Sequence, residues 1–151
     1  MAEADRVAKE LRSPVLGLRS TELAIELAAA SGEWDSGIII GEQAIALART
    51  LSQNTILPRI LVWTALIYLG KGEVDLAEPL IEEAWVVSGA DGDGRPNIHG
   101  AIPAHIGKGY LALKKGDFEE AVAIGERALE MAEGVGYGLW TIHRLAPLLA
   151  E

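Results

Sequence analysis

Three short stretches contain residue types that bind ions or phosphate, and each lacks part of the pattern that such a site requires. In the first, Asp91 and Asp93 alternate with glycine, as at the beginning of an EF-hand calcium loop. The twelfth position of that loop needs a bidentate acid and is Ile102 here, and Arg95 occupies another ligand position. Since aspartate and glycine are also ordinary turn formers, we predict a surface loop and no metal site.

Two glycine clusters are candidates for nucleotide binding. Gly107-Lys108-Gly109 has the glycine–lysine pair of a phosphate-binding loop, but no glycine stands five residues earlier and no serine or threonine follows the lysine. The second cluster, residues 134–138, lacks a preceding strand and the spacing of a dinucleotide site. We interpret it as a linker between helices, and we predict no cofactor.

Histidine is the remaining residue type with catalytic or metal-binding potential. The chain has three, His99, His105 and His143, and none lies in a His-Glu-x-x-His pattern. We expect all three to be polar residues at helix edges or on an exposed face. A Ser-His-Asp triad assembled by the fold stays an open alternative, but no catalytic residue is predicted and the chain is not expected to be an enzyme.

The composition favours closely packed helices. Half of the 151 residues are hydrophobic but only 5% are aromatic, and alanine and leucine dominate the apolar set. The absence of cysteine excludes disulfides and thiolate sites. A length of 151 residues fits one domain.

The charge and the apolar runs exclude two classes of partner. A formal charge of −9 repels phosphate backbones and anionic lipids, so no direct nucleic-acid binding and no membrane association are expected. The N-terminus has no apolar signal segment, and the longest apolar run, residues 56–70, is interrupted by Pro58 and Arg59 and too short to span a bilayer. We expect a cytoplasmic location.

An internal repeat is the strongest feature of the sequence. Gly32, Gly72 and Gly116 are each followed by an acidic residue and then a large apolar one, and they lie 40 and 44 residues apart. Glycine readily takes the left-handed conformation that ends a helix, and the large apolar residue is expected to fill the corner between two helices. Small residues follow at the same intervals, where helices must cross closely: Gly37, Ala77 and Ala121, then Ala44, Ala84 and Ala128.

Between these turns the apolar residues recur at helical spacing. The predicted helices span about 3–12, 16–31, 34–51, 55–70, 74–88, 99–115, 118–133 and 138–149. They form one domain over residues 1–151, with repeat units at 15–51, 55–88 and 98–134 and partial units at both ends.

The third unit resembles a tetratricopeptide repeat. The resemblance rests on the segment from Gly109 to Ala121, with its Gly116-Asp117-Phe118 turn, and on Ala128-Leu129-Glu130. The other units depart from that pattern, with Gly37 at a usual alanine position and Ile25 at a usual small one. Their spacing exceeds the family's period of about 34 residues and is similar to the repeat arrays of large bacterial signalling ATPases, including transcriptional activators of the maltose-regulator type.

The resemblance implies an all-α fold of seven to eight helices, in which antiparallel helix pairs stack into a right-handed superhelix, an α-solenoid. Solenoids normally end in a polar capping helix, whereas this chain ends at Leu148-Leu149-Ala150-Glu151. The sequence is therefore expected to be a piece of a longer protein, or to have its end covered by another subunit.

In such arrays the first helix of each pair lines the concave side, where peptide ligands lie. The family's frame assigns to this side Arg19, Glu22, Glu26, Arg59, Val62, Leu66, Leu69, Ile106, Tyr110 and Leu113. This face is apolar in its middle, with arginines near one edge that would attract acidic groups. It forms either a groove for a partner or a packing surface against neighbouring repeats, and the sequence leaves both open.

The functional hypothesis is a non-catalytic module that binds a protein or peptide, as the sensor or scaffold segment of a bacterial regulator. The Lys/Asn-rich clamp of chaperone-binding relatives is not recognisable here, which disfavours chaperone tails. Two alternatives are a small-molecule effector domain that controls an adjoining domain, and a module for self-association into a homo-oligomer. Trp63, Trp85 and Trp140 are expected to pack in the core.

Overall fold

A computed structural model describes residues 13–90, 92, 96–137, 141 and 144. Within these residues the regular structure is entirely α-helical, with six helices and no strand, which confirms the predicted all-α class. The helices are α1 (Pro14–Ser31), α2 (Trp34–Thr50), α3 (Leu57–Lys71), α4 (Val74–Ser88), α5 (Ile98–Lys115) and α6 (Phe118–Gly134). The predicted helix at 3–12 lies outside the described residues. So does the helix at 138–149 except for Thr141 and Arg144, and so does most of the Asp91–Arg95 loop.

The six predicted helices in the described part begin and end within two residues of the observed ones. The start of α1 is set by Ser13, whose hydroxyl accepts a hydrogen bond from Leu16 N at 3.5 Å, and by Pro14 in the first turn. Asp117 begins α6 in the same way, accepting from Glu120 N at 3.1 Å. Local capping therefore accounts for both boundaries.

The repeated glycines end the first helix of each pair, as predicted. Gly32, Gly72 and Gly116 have φ angles of 82°, 81° and 82°, in the left-handed region. Any other residue would be strained in this conformation, which explains why glycine recurs at these three places.

The small residues of the repeat also lie where helices cross closely. All five alanines of the pattern are at most 4% exposed. A Cβ atom on Gly37 would lie 2.6 Å from Ile67 Cδ1, and one on Gly41 would lie 2.3 Å from Thr64 Oγ1. The backbone of α2 therefore approaches the side chains of α3 more closely than alanine would permit.

The large apolar residue after each turn does not have the same role throughout. Trp34 fills its corner, since its Nε1 donates to Ala29 O at 3.4 Å and a Cβ atom on Gly70 would lie 3.1 Å from its ring. Val74 packs against the core between α3, α4 and α5. Phe118 is 50% exposed, so the prediction that it fills a corner is wrong.

Each helix packs against the next in sequence, and α3 also packs against α1 and α5. Because α3 has neighbours on several sides, 11 of its 15 residues are buried, whereas α2 buries 5 of 17. The helices α1, α3 and α5 thus lie side by side, and they carry the candidate binding residues. No helix in the described ranges combines the length and the apolar character needed to cross a bilayer.

Candidate binding site

The residues assigned to the concave side fall into two groups. Val62 and Ile106 are completely buried, and Val62 faces Gly107 of α5, where a Cβ atom would lie 3.3 Å from Val62 Cγ2. Leu113 is half-buried against the core between α5 and α6. These three residues fill the space between neighbouring helices, so they fit the alternative in which the face is a packing surface.

Leu66, Leu69 and Tyr110 line one cavity of about 360 Å³, which we call the central cavity, although Leu69 is only 2% exposed and also packs in the core between α3, α4 and α5. The other described lining residues of the cavity are Glu26, Ala29 and Ala30 of α1, Trp63 and Gly70 of α3, Lys114 of α5, and Arg144. The wall is mostly apolar, with charged groups at its edge. Its volume lies within the range of about 300–1,000 Å³ that is usual for ligand sites.

The repeat explains why these residues meet. Glu26, Leu66 and Tyr110 are separated by the repeat intervals of 40 and 44 residues, and so are Ala30, Gly70 and Lys114. Equivalent positions of three successive units therefore line one cavity. The first set was predicted from the sequence. The second follows by moving four residues, or about one helical turn, along the same face.

The two acidic residues of α1 that were assigned to this face are both paired. Arg59 Nε donates to Glu22 Oε1 at 2.5 Å, and the Glu22 side chain is only 4% exposed. Glu26 forms an ion pair with Arg144. Arg19 is exposed on α1. Because Arg59 pairs with Glu22, its positive charge is balanced within the protein and is less available to attract acidic ligands.

Arg144 is held by three helices. Its guanidinium pairs with Glu26 of α1 and lies 5.5 Å from the ring centroid of Trp63 of α3, while its backbone oxygen accepts from the Tyr110 hydroxyl of α5 at 3.0 Å. Burial lowers the pKa of Arg144, and the nearby Glu22 carboxylate opposes this effect. Burial also raises the pKa of the Tyr110 hydroxyl. The spacing analysis had not identified Arg144, although it lies one family period of about 34 residues after Tyr110.

Trp63 is 3% exposed, in agreement with its predicted core position. Its Nε1–H is nevertheless buried without a hydrogen-bond partner among the described residues. A buried donor in this condition costs about 1–3 kcal/mol, and most are paired with protein or bound solvent. The Nε1 atom itself is inaccessible to solvent, so the structure does not open it to the central cavity.

Lys114 differs from the other lysines in the described part of the chain. Lys71, Lys108 and Lys115 each form an ion pair with a carboxylate, on Asp35, Glu82 and Glu78 respectively. Lys114 lines the central cavity and has no such pair among the described residues. Together with Arg144 it gives the described lining two positive charges against the single negative charge of Glu26.

A second cavity of about 240 Å³ lies beside α5. It is lined by Arg59, Ile98, His99, Ile102, Pro103 and Tyr137. The rings of His99 and Tyr137 are 5.5 Å apart, and the Tyr137 hydroxyl is 3.4 Å from His99 Nδ1. His99 is exposed, as expected.

His105 is not at an edge, so its predicted placement is wrong. It is 6% exposed, its Nδ1 lies 2.8 Å from Ala101 O, and its ring centroid is 4.6 Å from that of Trp85. Desolvation by burial lowers the pKa of His105. The contact of its ring nitrogen with the backbone oxygen of Ala101, one turn earlier in α5, explains how this polar side chain is tolerated in a buried position.

Among the described residues no group of three or more histidine, aspartate or glutamate side chains could hold a metal ion. The acidic residues of the calcium-like loop, Asp91 and Asp93, and also Trp140 and His143, lie outside the described residues.

No protein-family model, no curated protein and no solved structure matches this chain. The evidence for a binding site is therefore the geometry of the central cavity alone. Sequence reasoning missed Trp63, Lys114 and Arg144 as its lining residues. The repeat frame could have found Lys114, one turn after Tyr110, but no pattern in the sequence marks the unpaired Trp63 donor.

Proposed function

We propose that this chain is a non-catalytic binding module whose partner, a protein or peptide, lies along the inner sides of α1, α3 and α5. The observation that carries the proposal is the central cavity, to which Leu66, Leu69 and Tyr110 contribute from two helices. A partner that inserts apolar side chains there would gain from burying them, which offsets the cost of ordering the partner.

The same proposal includes the tetratricopeptide-like right-handed superhelix. Its support is the packing of α3 against both α1 and α5, together with the recurrence of turn glycines at 40 and 44 residues. We further propose a cytoplasmic setting, as a sensor or scaffold segment of a bacterial regulatory protein. This part rests on the resemblance of the repeat alone.

The test is a comparison of two variants in a capture experiment, one at the half-buried Leu66 and one at the exposed Val86. Leu66→Asp places a charge in the wall of the central cavity, whereas Val86→Asp places one on α4, where Val86 is 63% exposed. A partner captured by the intact chain should be lost from Leu66→Asp and retained by Val86→Asp. Calorimetry with the purified partner should show at least a tenfold loss of affinity for Leu66→Asp.

Circular dichroism melts of both variants establish that each is folded. If folded Leu66→Asp keeps the affinity of the intact chain for every captured protein, the partner does not use the central cavity and the proposal fails.

A second function, a small-molecule effector site, is favoured by one specific observation. The central cavity has the volume of a small-ligand site, and its described lining includes Lys114, which has no ion pair among the described residues. A small ligand could occupy this space. Such a ligand would touch α1, α3 and α5 together and so could change how they pack.

A further inference from the structure

We propose that the central cavity binds a small apolar carboxylate, with its hydrocarbon part against Leu66 and Leu69 and its carboxylate at Lys114. The inference rests on the effector function proposed above and specifies the chemistry of the ligand.

The wall selects an apolar body. Ala29, Leu66 and Leu69 contribute only aliphatic side chains, and Trp63 and Tyr110 contribute aromatic rings. Ala30 and Gly70 add small residues to the lining. Burial of hydrocarbon in this space stabilises the complex by about 25 cal/mol per Å² of apolar surface. A strongly polar ligand such as a sugar would leave most of its hydroxyls without partners here.

The edge selects an anion. Glu26 and Arg144 neutralise each other through their ion pair, which leaves the Lys114 ammonium as the unbalanced charge of the described lining. In a chain of net charge −9, a positively charged edge on an apolar cavity is a local exception to the overall field. A carboxylate at Lys114 forms the ion pair that the other three described lysines already have.

The donor provides a reporter for the ligand. The Trp63 indole lines the cavity, although its Nε1 atom is itself buried and has no hydrogen-bond partner among the described residues. Its NMR resonance should therefore respond to a ligand in the cavity. The four tryptophans give four indole signals, and Trp63→Phe identifies the one from Trp63.

The experiment is a titration of the full ¹⁵N-labelled chain with octanoate and, in parallel, with octanamide, which has the same hydrocarbon chain and no charge. Octanoate should shift the Trp63 indole signal and the amides around Leu66, Leu69 and Lys114. It should bind about tenfold more tightly than octanamide, as expected for one charge-assisted hydrogen bond.

The matched control uses neighbouring lysines. Lys114→Gln should weaken octanoate binding about tenfold and leave octanamide binding unchanged. Lys115→Gln removes the same charge from the next residue, whose ammonium pairs with Glu78 at 2.6 Å, and should affect neither ligand. Lys114→Arg should retain the preference for the carboxylate.

The inference is overturned if octanoate leaves the Trp63 signal unchanged, if both ligands bind equally, or if the two lysine variants behave alike. These results are distinguishable from a failure of the protein-binding proposal. If octanoate does not bind but Leu66→Asp abolishes partner capture, the ligand is wrong and the protein-binding function stands. If octanoate binds as described while capture is unaffected by Leu66→Asp, the cavity serves the small molecule alone.

Discussion

At the residue scale, the buried Glu22 carboxylate is stabilised by an ion pair with Arg59. The Glu22 side chain is 4% exposed and accepts from Arg59 Nε, which comes from a different helix. A buried carboxylate is costly unless it is paired and hydrogen-bonded, so loss of the arginine would cost more than the ion pair itself contributes.

We therefore expect Arg59→Leu to lower the free energy of unfolding by about 3 kcal/mol, because Glu22 is left unpaired in the core. Urea unfolding measures this. The matched control is Arg127→Leu, which removes an exposed pair with Glu130 and should change stability by less than about 1 kcal/mol. Equal effects of the two variants would contradict a structural role for the Glu22–Arg59 pair.

His105 gives a prediction for pH dependence. Burial lowers its pKa below the usual value of 6.5, so in acid the unfolded chain takes up this proton before the folded chain does. Above the pKa that His105 has in the unfolded chain, the imidazole is neutral in both states and does not change the free energy of unfolding with pH. As the pH falls below 6.5, it destabilises the fold until the folded form is protonated as well.

The free energy of unfolding should consequently fall more between about pH 7.5 and pH 5 in the parent chain than in His105→Gln. Urea unfolding at both pH values gives the two differences. Arg127 adds to the lowering of the His105 pKa, and the nearby Lys108 is retained in both proteins, so the comparison isolates the imidazole. The same pH dependence in both proteins would show that His105 contributes nothing to it.

At the element scale, the close approach of α2 to α3 explains why two glycines stand inside α2. A helix normally loses stability by containing glycine, by roughly 0.5–1 kcal/mol relative to alanine. Here the loss is offset because Gly37 and Gly41 let Ile67 and Thr64 approach the α2 backbone. Sequence spacing identified Gly37 as a crossing point. It did not identify Gly41, which lies one turn later on the same face.

Gly41→Ala should therefore destabilise the protein by about 1–3 kcal/mol, because the new methyl group would lie 2.3 Å from Thr64 Oγ1. Gly17→Ala is the matched control, since Gly17 lies in α1 with no atom within 4 Å of the added Cβ. That variant should stabilise the protein by up to about 1 kcal/mol. Thermal unfolding should show opposite changes in stability for the two variants. A stabilised Gly41→Ala would contradict the close crossing of α2 and α3.

At the scale of the whole molecule, the net charge of −9 gives the chain a negative electrostatic field. Most described lysines and several arginines are paired with acidic side chains, so little positive charge remains to collect phosphate. The chain should show no measurable binding to a short DNA duplex at about 0.15 M salt, measured by fluorescence anisotropy. Saturable binding at that ionic strength would require an arginine cluster that charge counting overlooks.

The sequence by itself determined the helices and their turns, because these depend on short-range physics. Left-handed glycines, first-turn prolines and helical spacing act within a few residues, so the boundaries of α1 to α6 could be predicted to within two residues. The predicted alanines of the crossings are buried for the same reason, since every unit repeats the same local geometry.

Only the tertiary structure decided which members of the predicted face are available to a ligand. Val62 and Leu66 lie one turn apart on α3, yet Val62 is sealed by Gly107 and Leu66 lines the central cavity. Likewise, the positive charge of Arg59, Lys114 or Arg144 is available to a ligand only where the fold places no carboxylate beside it. These outcomes depend on distances between residues far apart in the chain, which spacing along one helix does not contain.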